Sequence, residues 1–177
     1  MGLPGNNQGE FTLRTTTTDN VWVVQIWNLD FGFTVPNSKN NWVHFAMTYD
    51  GTTIKIYANG ELAGSAARTL NTLSANFYIG RWGDNWFDGM IDEVMVYNYA
   101  RSEAEIWKDW SGQDDNEGSN RVGYYKMSDG SGTSLSNDAF YHNYENIGTL
   151  VGGPTWVTGV FESYPVGAGT SGDQYQI

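Results

Sequence analysis

The stretch Arg81–Asp88, R-W-G-D-N-W-F-D, gathers side chains suited to holding a sugar. Trp82 and Trp86 offer flat apolar faces on which a pyranose ring can stack, and Arg81, Asp84 and Asn85 offer polar tips that can fix its hydroxyls. The same residue types also pack loops, and Trp and Tyr are enriched where proteins meet proteins. Phe140-Tyr141-His142-Asn143-Tyr144 is a second aromatic loop open to the same readings.

Hydrolytic chemistry is poorly supplied. Retaining hydrolysis of a glycoside needs two carboxyls about 5 Å apart on one face. Asp92 and Glu93 are neighbours on an expected strand, Phe87–Tyr97, and adjacent strand residues point to opposite faces. Glu103 and Glu105 belong to a helix start. His44 and His142 have no Ser or Cys in a nucleophile motif, and His44 sits inside the expected strand Trp42–Tyr49, where a packed structural role suits it. With no cysteine, zinc-thiolate sites, iron–sulfur clusters and thiol catalysis are excluded. The chain reads as no enzyme. Asp114, Asp115, Asn116 and Glu117 lack the spacing of an EF-hand and read as a solvated loop.

The elements that must position these residues are mostly strands. Trp42–Tyr49 and Ile54–Ala58 are rich in aromatic and branched residues and are joined through Asp50-Gly51, a type I′ hairpin signal. Asn59-Gly60 repeats that turn chemistry. Further strands are expected at Phe11–Thr15, Val21–Trp27, Asp30–Val35, Glu61–Ser65, Asn76–Arg81 and Val122–Met127. Ser102 and Glu105 form a capping box, which predicts a helix over Glu103–Trp110 with Ile106, Trp107 and Trp110 docked on a sheet. Met1–Gly9 reads as an extended arm, so the chain divides into an arm over 1–10 and one domain over 11–177. Ser111–Asn120 carries no apolar residue and reads as an acidic connection.

Composition fits that outline. A chain of 177 residues suits one all-β sandwich, and 22 glycines with 15% aromatics suit many strands joined by tight turns. The net charge of −11 and the scattered basic residues disfavour nucleic acid and anionic membranes as partners. That charge serves solubility or, alternatively, divalent-cation binding. The start of the chain has no basic-then-apolar signal pattern. The longest apolar run, Val21–Trp27, is short and broken by Gln25, so no membrane span is expected.

Several ordered motifs carry a family resemblance. Trp42-x-His44-x-Ala46, Tyr49-Asp50-Gly51, Ile56-Tyr57-x-Asn59-Gly60, Ile79-Gly80, Phe87-x-Gly89-x-Ile91-Asp92-Glu93-Val94 and Ser102-x-x-Glu105-Ile106 resemble the laminin-G-like, concanavalin-A-like jelly-roll domains. The resemblance implies a jelly roll of two antiparallel sheets. Glucan-cleaving relatives carry carboxylates in a pattern such as Glu-x-Asp-x-x-Glu, which this chain lacks. In a number of relatives an Asp at the position resembling Asp92 helps hold a structural Ca²⁺. Asp92 is thereby a candidate metal ligand, a hydrogen bond to nearby backbone amides being the other reading.

Tyr124-Tyr125-Lys126-Met127, Gly130-Ser131-Gly132-Thr133, Gly148-Thr149-Leu150 and Gly153-Pro154-Thr155-Trp156 are similar to the opening of a domain in the same family, yet they follow its closing motif. Circular permutation, a cut across tandem domains and a strand from a neighbouring chain each explain that order. Permutation predicts that Arg121–Met127 pairs antiparallel with Met90–Tyr97, and that early and late parts share one interior. The functional expectation is a non-catalytic surface protein with a lectin-like jelly roll. It would be a virion decoration or fibre component that binds glycans, other virion or surface proteins or its own copies, at a virion surface or outside the cell. The alternative is a carbohydrate-binding module from a secreted multidomain bacterial protein.

Overall fold

The computed structural model describes residues 11–26, 30–70, 76–82, 84–113, 118–139, 141 and 146–157, with backbone alone at 11 and 82. The expected arm over 1–10, the acidic cluster Asp114–Glu117, and Phe140, His142, Asn143 and Tyr144 lie outside these residues.

Three strands, β1 (Phe11–Thr15), β2 (Val21–Ile26) and β3 (Phe31–Thr34), form an antiparallel sheet in that order. Alternation in β2 buries Trp22, Val24 and Ile26 on one face. A second antiparallel sheet is built from β4 (Phe45–Tyr49), β5 (Thr53–Ala58) and β6 (Glu61–Ala67). Ile54 and Ile56 of β5 point into the core, while Tyr57, on the other face of the strand, is buried too; the register shift at this point leaves Ala63 of β6 as the extra residue. The two sheets share one apolar cluster, in which the Trp22 and Phe45 ring centroids are 4.1 Å apart. The Trp22 indole N–H donates to Ser38 Oγ at 3.0 Å, so the buried ring keeps its polar atom satisfied.

The turns follow local chemistry. Asn59 and Gly60 have φ of 52° and 79°, the left-handed pair that a type I′ turn demands, and they join β5 to β6. Asp50-Gly51 departs from expectation: Gly51 alone is left-handed, at 97°. The Asp50 carboxylate instead accepts from the Thr52 and Thr53 amides, at 2.9 and 2.8 Å, and so organises a longer turn. Those two amides, with the Thr52 hydroxyl, hold the Asp50 carboxyl below its ordinary value.

Beyond β6 come a short hairpin, β7 (Arg81–Trp82) and β8 (Asn85–Trp86), and a strand, β9 (Val94–Tyr97). The strand expected over Trp42–Tyr49 begins only at Phe45, so His44 lies just before it. Residues 76–80 are not extended into a sheet, and the strand foreseen over Phe87–Tyr97 is confined to Val94–Tyr97. Glu93 at φ 53° interrupts it just before Val94. Helix α1 (Glu103–Trp110) starts on the foreseen capping box, with Ser102 Oγ accepting from the Glu105 amide and the Glu105 carboxylate from the Ser102 amide. Its Ile106 is buried, and its Trp107 and Trp110 lie over Gly60 in the β5–β6 turn.

The last described part supplies β10 (Arg121–Tyr125), β11 (Ser134–Leu135) and β12 (Gly148–Thr149). β10 pairs antiparallel with β9, as the permuted order requires, with Tyr125 opposite Val94. All these ladders are antiparallel and one α-helix accompanies them among the described residues, the architecture of an all-β sandwich. The expected common interior is modified. Val94, Tyr125 and Leu135 centre a second apolar cluster that also takes Ile79, Ile91, Val96, Leu150 and Trp156. The last segment thus packs against chain from residues 79–96, in a cluster distinct from the first.

Candidate functional site

The β7–β8 hairpin is anchored in both clusters. Phe87, next after β8, packs on the first; Ile79 and Ile91, on either side of the hairpin, pack on the second. The Phe87 amide donates to Gly80 O at 2.8 Å and closes the hairpin base. Gly80 has φ of 71°, and a Cβ there would stand 3.0 Å from Ile91 Cδ1, so glycine lets the strand approach Ile91.

Register decides which side chains meet. Arg81 lies opposite Trp86, and Trp82 opposite Asn85. Residues directly opposite share a face. The Arg81 guanidinium sits 4.9 Å from the Trp86 ring centroid and 5.4 Å from that of Tyr78. Tyr78 is 54% exposed and Trp86 52%, so both rings offer apolar surface to solvent while a cation steadies them. Asp84 and Asn85 are exposed, and Asn85, paired with Trp82, belongs to the face opposite that of Arg81 and Trp86. The Trp82 side chain lies outside the described atoms. Of the foreseen residues, Arg81 and Trp86 are therefore brought together, with Asp84 and Asn85 at the hairpin tip.

Pattern reading missed Tyr78 and Gly152. Tyr78 stood in an expected strand that is absent, although its place two residues before Gly80 marks the way into the hairpin. Gly152 approaches Trp86 from a distant segment: a Cβ built on it would fall 2.4, 2.6 and 2.7 Å from Cη2, Cζ3 and Cζ2 of that ring. A local pattern carries no signal for such a meeting. The surface can bind a ligand with an apolar face and several hydroxyls, through ring stacking and polar side chains.

Asp92 and Glu93 stand elsewhere and apart in role. They precede β9, so the strand alternation expected of them does not apply. Asp92 is half-buried; its Oδ1 accepts from the Glu93 amide at 3.0 Å. Burial raises its carboxyl above the ordinary value, against the lowering effect of that amide. The Glu93 carboxylate accepts from the Tyr124 hydroxyl, a link from β10 to the entry of β9. Among the described residues no group of three His, Asp or Glu side chains is arranged for a metal, so a cation at Asp92 would draw its other ligands from backbone carbonyls. His44 is buried, with Nδ1 lacking a hydrogen-bond partner among the described residues, and burial lowers its imidazole to about 4.

A laminin G family model, described as the concanavalin A-like lectin/glucanases superfamily, matches residues 1–107. A solved structure from Bacteroides ovatus ATCC 8483, titled a “putative carbohydrate binding protein”, superposes with a TM-score of 0.62 at 25% identity. The match covers 81% of this chain and 48% of that one, so the chain spans about half the length of this relative. An S-layer domain-containing protein from Clostridium thermocellum ATCC 27405 gives a TM-score of 0.37 at 22% identity over 61% of this chain and 59% of that one. No curated protein matches.

Proposed function

This chain belongs to the concanavalin A-like lectin/glucanases superfamily, and on that premise we propose that it is a non-catalytic recognition module binding glycan through its β7–β8 hairpin. One observation carries the proposal: two half-exposed rings, Tyr78 and Trp86, flank the Arg81 guanidinium. A pyranose would stack on Trp86, with Arg81 on the same face and Asp84 at the hairpin tip meeting its hydroxyls. The name of the Bacteroides structure supports the same class of ligand. The non-catalytic part rests on the carboxylates: Glu93 is engaged by Tyr124, and Asp92 is its chain neighbour rather than a partner across a cleft.

A glycan array with wild type and Trp86→Ala tests this. Specific binding that weakens at least about tenfold in the variant is expected, the loss of a stacked aromatic anchor being worth roughly 2 kcal/mol. Binding unchanged by Trp86→Ala would remove the hairpin from the site.

The finer proposal sets the module on an outer surface, as a virion decoration or fibre component, or within a secreted multidomain bacterial protein. Exposed Leu62 and Trp107 support a neighbouring protein or a second copy. We also propose a structural Ca²⁺ at Asp92, supported by a half-buried carboxylate whose Oδ1 accepts from the amide of its own chain neighbour. Thermal melting with Ca²⁺ and with excess chelator is the check. A midpoint several degrees higher with Ca²⁺, absent in Asp92→Asn, is expected; identical curves would exclude the ion.

A further inference from the structure

We infer that Gly152 is a positioning residue for the glycan platform: it holds the Trp86 ring in place from a segment remote in sequence, so the binding surface is composite. The inference rests on the glycan reading above. The near-equal 2.4, 2.6 and 2.7 Å distances to three consecutive atoms put Gly152 over the flat of the six-membered ring. An edge-on approach would leave Cη2 much nearer than its two neighbours. Only a residue without Cβ can lie so close, and φ of +85° makes glycine the fitting choice a second time.

The segment that brings Gly152 there is anchored. β12 pairs with β11, the Leu150 amide donates to Thr133 O at 2.8 Å, and Leu150 and Trp156 pack on the second cluster. Trp86 is therefore held by the Arg81 guanidinium at 4.9 Å and by the backbone at Gly152, yet keeps 52% of its surface open. An aromatic ring fixed before its ligand arrives loses less freedom on binding, which raises affinity without adding contacts.

Gly153 is a built-in control. Its φ is +76°, so alanine there strains the backbone comparably, but its Cβ would meet nothing within 4 Å. The experiment compares Gly152→Ala, Gly153→Ala and Trp86→Ala with wild type. Affinity electrophoresis in a mixed-linkage β-glucan, a galactomannan and a xylan reads binding. Fluorine NMR of 5-fluorotryptophan protein, with Trp86 assigned by Trp86→Phe, reads the ring without ligand. Gly152→Ala is expected to shift the Trp86 resonance and weaken binding about tenfold. Gly153→Ala should do neither. Equal behaviour of the two glycine variants in the ring resonance, or in binding where wild type is retained and Trp86→Ala is not, overturns the positioning role. If Trp86→Ala binds as wild type, or no polysaccharide is retained, the glycan reading falls and the resonance still decides on Gly152. Should Gly152→Ala fail to fold, Gly152→Asn takes its place, since asparagine tolerates positive φ while still presenting a Cβ to the ring.

Discussion

His44 shows what one buried titratable side chain does to a fold. Its imidazole is lowered from 6.5 to about 4 because burial penalises the charged form. The unfolded chain takes up that proton near pH 6.5 and the folded chain only near 4. Stability from this residue is therefore complete above pH 6.5, falls as pH drops, and is fully lost near 4. The total is on the order of 3 kcal/mol. Urea midpoints should fall between pH 6.5 and 5, a window largely above the carboxylates, and His44→Leu should flatten that slope. Arg101 is a second such position. Its Nη2 meets Asp109 Oδ1 at 2.8 Å, with 2% and 8% of the two side chains exposed, and its guanidinium covers the Tyr97 ring at 4.1 Å. Arg101→Ala leaves a buried carboxylate without this cation and is expected to cost about 3–5 kcal/mol in denaturant unfolding.

At the scale of elements, the β5–β6 turn and helix α1 constrain each other. A Cβ at Gly60 would stand 2.9 Å from Trp110 Cε3 and 3.4 Å from Trp107 Cδ1, at φ +79°. Gly60→Ala should therefore lower stability by about 1–3 kcal/mol, through backbone strain and displacement of the helix together. Circular dichroism during urea unfolding would measure it; an unchanged midpoint would mean the helix yields freely. Asn59-Gly60 and the capping box were legible in the residues, because each is a local rule acting over a few positions. The end of the strand expected from Phe87 was not, since Glu93 enters the left-handed region with its side chain on Tyr124, thirty-one positions away in β10. Asp50-Gly51 pointed to the right hairpin but the wrong turn, because the Asp50 side chain competes for the amides of Thr52 and Thr53. The candidate site was half legible: Arg81, Trp86, Asp84 and Asn85 came from composition, while Tyr78 depended on a local conformation and Gly152 on a tertiary meeting.

For the whole molecule, the division of apolar residues into two clusters has a kinetic meaning. Clusters that share few side chains open separately. Native-state amide exchange should resolve two cooperative groups: one around Val24, Phe45 and Ile56, the other around Val94, Tyr125 and Leu135. A single opening free energy across both would show them to be one unit. The β9–β10 ladder makes the second group depend on strands from either side of α1 and the connection after it. That ladder also bears on how such a gene is cut and rejoined. Two ribs that run side by side, one ending a recognisable motif and the next beginning another, tolerate a break in the loop between them without losing a rung.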